Sequence, residues 1–524
     1  MKDNFNQFTI SPIQRKLLMI TVILAAIMEL IDTSIVNVAL NYMSGNLGAT
    51  LEDTSWVITS YAIANVIIIP MTSFLANNLG RRNYYIGSIV LFTLCSFLCG
   101  NATDIWELVA FRFLQGLGGG ALLSVSATVV YELFPKEKQA TAAALFGIGI
   151  FIGPTIGPTL GGYITENYSW PWIFYINVPI GIAATISCLI FLYEPLRQKI
   201  REIDWIGILL LIIGIGSLQV VLERGETDDW FSANYIVFLI ILAIVSLTAF
   251  VLWELHTENP VVNLRILRFR SLSIAAVLTF ITGMGMYTSI YLTPVVAQRI
   301  LGFTPTQSGL LLLPGALMAV FALILTGKLL QKGVSPALIV LLGFVCFIYF
   351  NWSMSRINLD TPAWDITLNL IFRALGMALL TVPLGTLAVS SLEPKDMPQG
   401  TAFNNMMRQL GGSFGISIIN TYVARRIFSH RTDLISNIQI TNPAFVARLN
   451  SYTTTFEHKG FGFLDARQKA MDLIERVVVK QSSFMSYLDG YFLIGLFFAV
   501  VLPLLLFVSK RDKSKPLVVP SGDH

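Results

Sequence analysis

Five ionisable residues interrupt long apolar stretches of the sequence. Two are acids, Glu29 and Asp32, and three are arginines, Arg112, Arg373 and Arg408. In a membrane-spanning stretch, each such group costs at least about 2.5 to 3.5 kcal/mol on insertion scales, and such groups commonly bind protons or substrate. These residue types therefore predict proton or ion chemistry, provided that the stretches around them cross a membrane.

The composition supports a membrane location. Of 524 residues, 54% are apolar and only 13% are charged, whereas soluble domains carry about 25% charged residues. The net charge of +4 argues against a highly charged disordered chain, and no basic stripe for nucleic acid is present. The four cysteines lie inside apolar runs and the four histidines outside them. We therefore predict neither a disulfide nor a metal site, and the absence of a P-loop sequence predicts no ATP site.

Fourteen apolar runs are long enough to cross a bilayer about 30 Å thick as helices. With the amino terminus inside, twenty Lys and Arg residues fall in the inner loops and tails, but only three in the short outer loops. This asymmetry predicts a multi-pass protein of the inner membrane with both termini cytoplasmic. The predicted spans are 17–40, 54–76, 84–101, 105–131, 140–165, 172–193, 204–222, 233–253, 271–295, 305–327, 336–355, 365–391, 399–427 and 485–508.

A repeat relates the two ends of the chain. FRFL at 111–114 in span 4 matches FRAL at 372–375 in span 12, and FPKE at 134–137 matches EPKD at 393–396. Parallel repeats with a binding site between them are a transporter architecture. We predict an all-α fold of two six-helix halves with an inserted pair between them, at residues 1–200, 261–524 and 201–260.

Asp32 and Arg112 are predicted to lie at matched depth. Span 1 ends near residue 40, which places Asp32 about 12 Å of helix below the outer face. Span 4 enters from outside near residue 105, so Arg112 lies at a similar depth. We interpret Asp32 as a carboxylate that takes up and releases protons, with Arg112 modulating it. A static ion pair that joins the two helices is the alternative.

Glu29 lies one turn before Asp32 on the same helix face. Two carboxylates this close repel when both are ionised, so one of them is expected to hold a proton. Three roles stay open for Glu29. It binds a second proton, faces a cationic substrate, or points into a wet cavity.

The remaining buried arginines have no evident acidic partner. Arg373 is the repeat counterpart of Arg112, but the second half has no intramembrane acid for it. Its partners are therefore backbone carbonyls or an anionic substrate group. Arg408 follows Asn404 and Asn405, which favours a hydrogen-bonded structural cluster over direct substrate contact.

Span 5 carries glycines at every fourth position and two prolines. Small residues at this spacing allow close approach of another helix, and Pro154 and Pro158 interrupt the backbone hydrogen bonds, which predicts a bend. Ordinary helix packing and a hinge or seal between the halves are both compatible with the pattern. The glycines are Gly149, Gly153, Gly157 and Gly161, followed by Gly162.

Several motifs carry a family resemblance. DTSIVNVA at 32–39, Arg112 with Gln115, and the Gly-Pro repeat of span 5 resemble the helix 1, helix 4 and antiporter motifs of the major facilitator superfamily. The nearest match is the EmrB type of its fourteen-helix drug:proton antiporter branch, and WPWIFYINVPIG (170–181) and IGIGSLQVVLERG (213–225) are also similar to that type. The resemblance implies that Asp32 is the proton-coupling acid. The candidates for lining a substrate cavity are Asn37, Gln115, Gln219, Arg373, Asn404 and Arg408.

Two positions depart from the family's pattern. The loop between spans 2 and 3 is expected to form a cytoplasmic gate, through Asn77, Gly80, Arg81 and Arg82. The superfamily usually has an Asp where this chain has Asn77, which puts the latch attributed to that Asp in question. Glu29 stands where the branch is expected to have an uncharged residue.

The segment from about 428 to 484 is longer than a connection requires. Apolar residues at helical spacing, from Ala470 to Val478, predict that span 14 begins as a helix projecting outside the membrane. EmrB-type exporters work with a periplasmic adaptor protein and an outer-membrane channel, so the resemblance implies adaptor contact here. A solvated helical hairpin without a partner is the alternative.

The resemblance implies a proton-coupled exporter of amphipathic or hydrophobic compounds that works by alternating access, with no enzymatic activity and no cofactor. Its partners would be substrate, protons and the lipid bilayer, but not nucleic acid. One alternative is a dedicated exporter of a single metabolite, such as a siderophore or a fatty acid. A membrane sensor that transports nothing is a more distant alternative.

Overall fold

The computed structural model describes residues 12–134, 139–193, 204–393 and 396–504. These residues form α-helices and contain no strand. In chain order the helices are α1 Pro12–Leu47, α2 Leu51–Leu79, α3 Arg81–Gly100, α4 Ile105–Glu132, α5 Gln139–Asn167, α6 Trp172–Tyr175, α7 Asn177–Phe191, α8 Trp205–Arg224, α9 Asn234–His256, α10 Arg270–Val295, α11 Pro305–Gln331, α12 Pro336–Met354, α13 Ala363–Ser390, α14 Met397–Ile435, α15 Pro443–Glu457 and α16 Phe463–Val501.

Thirteen described stretches of helix are long and apolar enough to cross a membrane, and the chain is a multi-pass membrane protein. They coincide with all the predicted spans except 399–427, which lies within α14. That helix has 39 residues but is less apolar than the others, because it carries polar residues such as Asn404, Asn405 and Arg408 in its first third. The least apolar of the predicted spans is therefore a helix that contributes several of the candidate residues.

Local sequence signals explain where several helices begin. Thr50 and Asp204 cap α2 and α8 by accepting from the backbone N–H groups of Asp53 and Gly207, as short polar side chains do at helix starts. Thr304 and Gln307 form a capping box at the start of α11. Gly80 separates α2 from α3 and has a φ of 89°. Residues other than glycine rarely adopt this backbone conformation.

Two groups of six long helices, α1–α5 with α7 and α10–α14 with α16, repeat the same pattern of helix packing. In the first group, α1 packs against α4, α5 and α7, while in the second α10 packs against α13, α14 and α16. The pairs α2 with α4 and α3 with α7 correspond in the same way to α11 with α13 and α12 with α16. The predicted boundary between residues 200 and 201 lies outside the described residues.

The inserted pair, α8 and α9, packs together and touches both groups. Helix α8 contacts α2 of the first group and α14 of the second.

The two groups also meet directly, along α5 and α11 and between α4 and α14. Two hydrogen bonds join α4 to α14: Asn405 Nδ2 donates to Ser124 Oγ at 3.4 Å, and the hydroxyls of Thr128 and Thr401 lie 3.0 Å apart. Both lie near the end that the charge pattern predicts to be cytoplasmic, called here the inner end.

A projection extends from the opposite, outer end of the molecule. It consists of the last turns of α14, all of α15 and the first turns of α16, which share a small core around Leu449, Ala470, Ile474 and Val478. Helix α16 starts 22 residues before the predicted span at 485, so the helix predicted to project is present. Val477, which the spacing placed on the same face, is 44% exposed.

Candidate functional site

The Asp32 carboxylate is fully buried within the first six-helix group. Its Oδ2 accepts a hydrogen bond from Arg112 Nη1 at 2.5 Å. Its Oδ1 accepts from Gln115 Nε2 at 3.1 Å and from Asn177 Nδ2 at 2.8 Å. The predicted pairing of Asp32 with Arg112 is therefore present, and two neutral amides complete the shell around the carboxylate.

Arg112 has further contacts besides the carboxylate. Its Nη1 lies 2.7 Å from Gln115 Oε1, and its Nε donates to the backbone carbonyl of Val57 at 3.2 Å. The guanidinium carbon lies 4.2 Å from the centre of the Tyr61 ring and 5.6 Å from that of Phe174, within range for cation–π attraction. None of these contacts involves Asp32.

Glu29 faces a different helix from Asp32. Its Oε1 accepts from Tyr61 at 3.2 Å and from Asn65 at 3.1 Å, both on α2. Its Oε2 is buried and has no hydrogen-bond partner among the described residues. A buried carboxylate oxygen without a donor carries the full cost of desolvation, so the oxygen is poised to receive a proton or a donor group.

Sequence reasoning missed three residues of this site: Tyr61, Asn65 and Asn177. The last of these belongs to the stretch 170–181 that resembles the EmrB type, which was the one available signal. Asn177 is the first residue of α7, and Ile176, which separates it from α6, keeps helical backbone angles. The Asn177 side chain bridges Asp32 to Ser96 Oγ of α3, at 3.0 Å.

Arg373 in α13 is buried and donates from Nη1 to the backbone carbonyl of Ser289 in α10, at 3.3 Å. Helix α10 corresponds in the packing pattern to α1, which carries Asp32. Of the two partners left open for Arg373, the structure therefore shows a backbone carbonyl. The second group thus has an arginine at the equivalent helix pair but bonds it to the main chain.

Arg408 lies at the contact between α4 and α14. It lines a small cavity of about 20 Å³ together with Asn404, Asn405 and Tyr131. Arg408 Nη1 and Asn404 Oδ1 are both buried without a hydrogen-bond partner among the described residues, so the predicted hydrogen-bonded cluster is incomplete. A cavity of this size holds about one water molecule, far below the roughly 300 to 1,000 Å³ of ligand pockets.

The other cavity candidates lie apart from one another. Gln115 belongs to the Asp32 shell. Asn37, further out on α1, is exposed, and its amide bonds the carbonyl of Thr33 on its own helix at 3.3 Å. Gln219 is buried on α8 and donates to Ser413 Oγ of α14 at 2.9 Å.

The four glycines at every fourth position of α5 pack against α1 and not against the other half. A Cβ added at Gly153 would lie 2.5 Å from Leu30 Cβ, and one added at Gly157 would collide with Ser34 Oγ. Gly149 and Gly161 meet Ile27 and Ile35 in the same way. Helix α5 remains helical through Pro154 and Pro158. The contact with α11 uses other residues of α5, such as Gly147 and Thr159.

The predicted gate loop contains an ion pair that the motif did not predict. Arg81 Nη1 lies 2.6 Å from both carboxylate oxygens of Glu132, at the end of α4. Arg82 Nη2 donates to the carbonyl of Leu189 at 2.5 Å. Asn77 is half-buried on α2, one turn before Gly80. The loop thus joins α2, α3, α4 and α7 at the inner end.

No group of three or more His, Cys, Asp and Glu that could hold a metal ion occurs among the described residues. The polar site instead consists of one carboxylate pair, one arginine and several amides and hydroxyls. Such a set can bind protons and hydrogen-bonding ligands.

Comparisons with known proteins identify the family of the chain. Residues 22–416 match the profile of the Major Facilitator Superfamily. The chain is 32% identical over 499 residues to the multidrug export protein EmrB of Escherichia coli, covering 94% of this chain and 95% of that protein. It is 30% identical to the fatty acid resistance protein FarB of Neisseria gonorrhoeae, covering 92% and 94%.

Solved structures show the same fold. The crystal structure of the human organic anion transporter MFSD10 superposes with a TM-score of 0.57 at 12% identity, covering 93% of this chain and all of that one. At that identity the likeness concerns the fold alone. Sequence and fold together show that the chain belongs to the major facilitator superfamily and, within it, to the EmrB group.

Proposed function

We propose that the chain is a proton-coupled antiporter that exports amphipathic or hydrophobic compounds by alternating access. Membership of a transporter superfamily supports transport over catalysis, and the name of the E. coli relative supports multidrug export. The single observation that carries the proton coupling is the carboxylate of Asp32, which is buried inside the membrane domain beside Arg112. A proton gradient supplies the energy, and no cofactor is needed.

Asp32 binds and releases the coupling proton. When it is ionised, Arg112 and the amides of Gln115 and Asn177 stabilise its charge. When it is protonated, Arg112 keeps its bonds to Val57 and Gln115. Both states are therefore accommodated by the same shell, which is what a reversible proton site requires. Protonation biases the equilibrium from outward to inward facing, and substrate competes with the proton.

Glu29 is a second proton site in this scheme. Its free Oε2 gives it room to accept a proton without breaking the bonds that Tyr61 and Asn65 make to Oε1. The substrate pathway runs between the two six-helix halves, 1–200 and 261–524, with 201–260 inserted. Arg373 and Arg408 lie on its second-half side.

The proposed location is the inner membrane, with both termini in the cytoplasm. Much of the positive charge behind this orientation belongs to residues outside the described ranges, among them Lys136, Lys395 and Arg511. The projection then lies in the periplasm, where it contacts an adaptor protein that leads to an outer-membrane channel. Large apolar side chains of the projection, including Ile440 and Leu464, are 82% and 79% exposed, which suits contact with a partner.

A dedicated exporter of one metabolite is the second candidate, and the FarB relative, named for fatty acid resistance, favours a fatty acid. Efflux assays in a pump-deficient host separate the two. A multidrug exporter lowers the accumulation of several unrelated compounds, whereas a dedicated exporter lowers that of fatty acids only.

The direct test of the proposal uses the purified chain in proteoliposomes with an imposed pH gradient. Addition of an amphipathic substrate is expected to dissipate the gradient in wild-type vesicles and not in empty ones. If none of a panel of amphipathic compounds produces proton movement, the chain is not an antiporter. A membrane sensor that transports nothing is then the favoured function.

A further inference from the structure

The inserted helix pair carries a carboxylate that the proton chemistry of Asp32 and Glu29 does not use. Glu223 is the next-to-last residue of α8, and its side chain is half-buried. Its Oε1 accepts from Gln219 Nε2 at 3.2 Å. Arg224 pairs with Asp228 at 3.1 Å and also donates to Ser55 Oγ of α2 at 3.3 Å. The adjacent charges are therefore engaged in a separate ion pair.

Gln219 adds a second acceptor beside this carboxylate. The residue is 1% exposed, and its Nε2 donates both to Glu223 and to Ser413 Oγ of α14, the latter at 2.9 Å. Its Oε1 is buried and has no hydrogen-bond partner among the described residues. Because Gln219 and Glu223 are four residues apart on one helix, their side chains lie on the same face. The face thus offers a negative charge and an unused acceptor, but no unused amide donor.

This face of α8 lies at the seam between the two halves. Helix α8 packs against α2 on one side and α14 on the other. From α10, the phenol of Tyr291 lies within electrostatic range of both Glu223 and Arg299. The charged and titratable groups around Glu223 are therefore Arg224, Asp228, Tyr291 and Arg299.

We propose that Glu223 and Gln219 form a subsite for the protonated amine of a cationic amphiphile. The carboxylate supplies charge, and the glutamine carbonyl accepts an N–H, so a primary ammonium fits better than a quaternary one, which has no N–H to donate. The inserted pair then takes part in substrate recognition. As a statement about substrate class the proposal rests on the proposed export function, but binding itself is measurable without transport.

The test uses the full chain in nanodiscs and three probes with one tail: octylamine, octyltrimethylammonium and octanol. Binding is measured by titration calorimetry, with empty nanodiscs subtracted. Glu223→Gln removes the charge, and Gln219→Met removes the carbonyl at similar length. Glu226→Gln is the matched control, because Glu226 lies three residues further on and contacts Trp230 instead.

Wild type is expected to bind octylamine most tightly. Glu223→Gln should weaken octylamine binding about tenfold or more, the size expected for a charge-assisted hydrogen bond, and leave octanol unchanged. Gln219→Met should weaken octylamine more than octyltrimethylammonium, and Glu226→Gln should match wild type. Equal losses for octylamine and octanol, the same loss in Glu226→Gln, or no octylamine preference in wild type would each overturn the subsite. Proton movement in proteoliposomes tests the export function separately, since the subsite can bind amines even if no transport occurs.

Discussion

Glu29 and Asp32 lie one turn apart on α1, yet their carboxylates bind separate sets of side chains. Asp32 is bonded by Arg112, Gln115 and Asn177, from α4 and α7. Glu29 is bonded by side chains of α2 alone and retains one unpartnered oxygen. One acid is therefore charge-paired while its neighbour is held only by neutral donors, which suits two sites that exchange protons at different steps.

Asp32→Asn should abolish substrate-driven proton movement in proteoliposomes. The amide cannot ionise, so the chain stays in the protonated-like state. Removing one partner of a buried ion pair typically lowers the free energy of unfolding by about 3 to 5 kcal/mol. Because Arg112 keeps its other hydrogen bonds, we expect a loss of stability at the lower end of this range. The double variant Asp32→Asn with Arg112→Gln should recover thermal stability but not transport. Proton movement that survives Asp32→Asn would contradict the assigned role.

Glu29→Gln should reduce the number of protons released when substrate binds to the detergent-solubilised protein. A pH indicator in weakly buffered solution measures this release. The glutamine can still accept from Tyr61 and Asn65, so the packing of α1 on α2 is preserved. Glu107→Gln is the control, because that acid is exposed at the outer end of α4 and bonds only Thr103. Release equal to wild type would remove Glu29 from the proton pathway.

Arg81 and Glu132 should be energetically coupled at the inner end. Arg81 Nη1 lies 2.6 Å from both carboxylate oxygens of Glu132, and the Arg81 side chain is only 8% exposed. Each single change, Arg81→Gln or Glu132→Gln, should therefore lower the thermal stability of the protein. A double-mutant cycle should give a coupling energy of about 1 to 3 kcal/mol. Additive effects of the two changes would show that the pair does not hold α3 to α4.

Gly157→Val should destabilise the protein by about 1 to 3 kcal/mol, because the added side chain collides with Ser34 of α1 in a packed interface. Gly87→Ala is the control, since Gly87 is exposed on α3 with no atom within 4 Å of an added Cβ. That change should be neutral or stabilising. Thermal melts followed by size-exclusion chromatography give the comparison. Equal melting of the two variants would mean that α1 and α5 separate at no cost.

A photo-crosslinking residue at Leu464 should capture a second protein in cells. Leu464 is 79% exposed at the far end of the projection, whereas Val90 is exposed on α3 within the membrane domain and serves as the control position. An adduct specific to position 464, identified by mass spectrometry as a periplasmic protein, supports adaptor contact. A projection that crosslinks to nothing at this position favours the solvated hairpin.

The sequence by itself determined the features that depend on local composition and spacing. Apolar runs of about 20 residues predict spans because a bilayer excludes unsatisfied backbone groups, and thirteen of the fourteen match described apolar helices. The matched depth of Asp32 and Arg112 sufficed to predict that they pair. The helical spacing after Ala470 likewise predicted the projecting part of α16.

Only the tertiary structure decided which helix faces meet, since contacts between distant segments depend on how all the helices pack together. The glycine spacing of α5 is compatible with any neighbour, and the fold places α1 against it. Asn177 reaches Asp32 because α7 packs against α1, a contact between segments that are 145 residues apart. Helical spacing alone puts Gln219 beside Glu223, but only the packing of α8 against α14 brings Ser413 to Gln219.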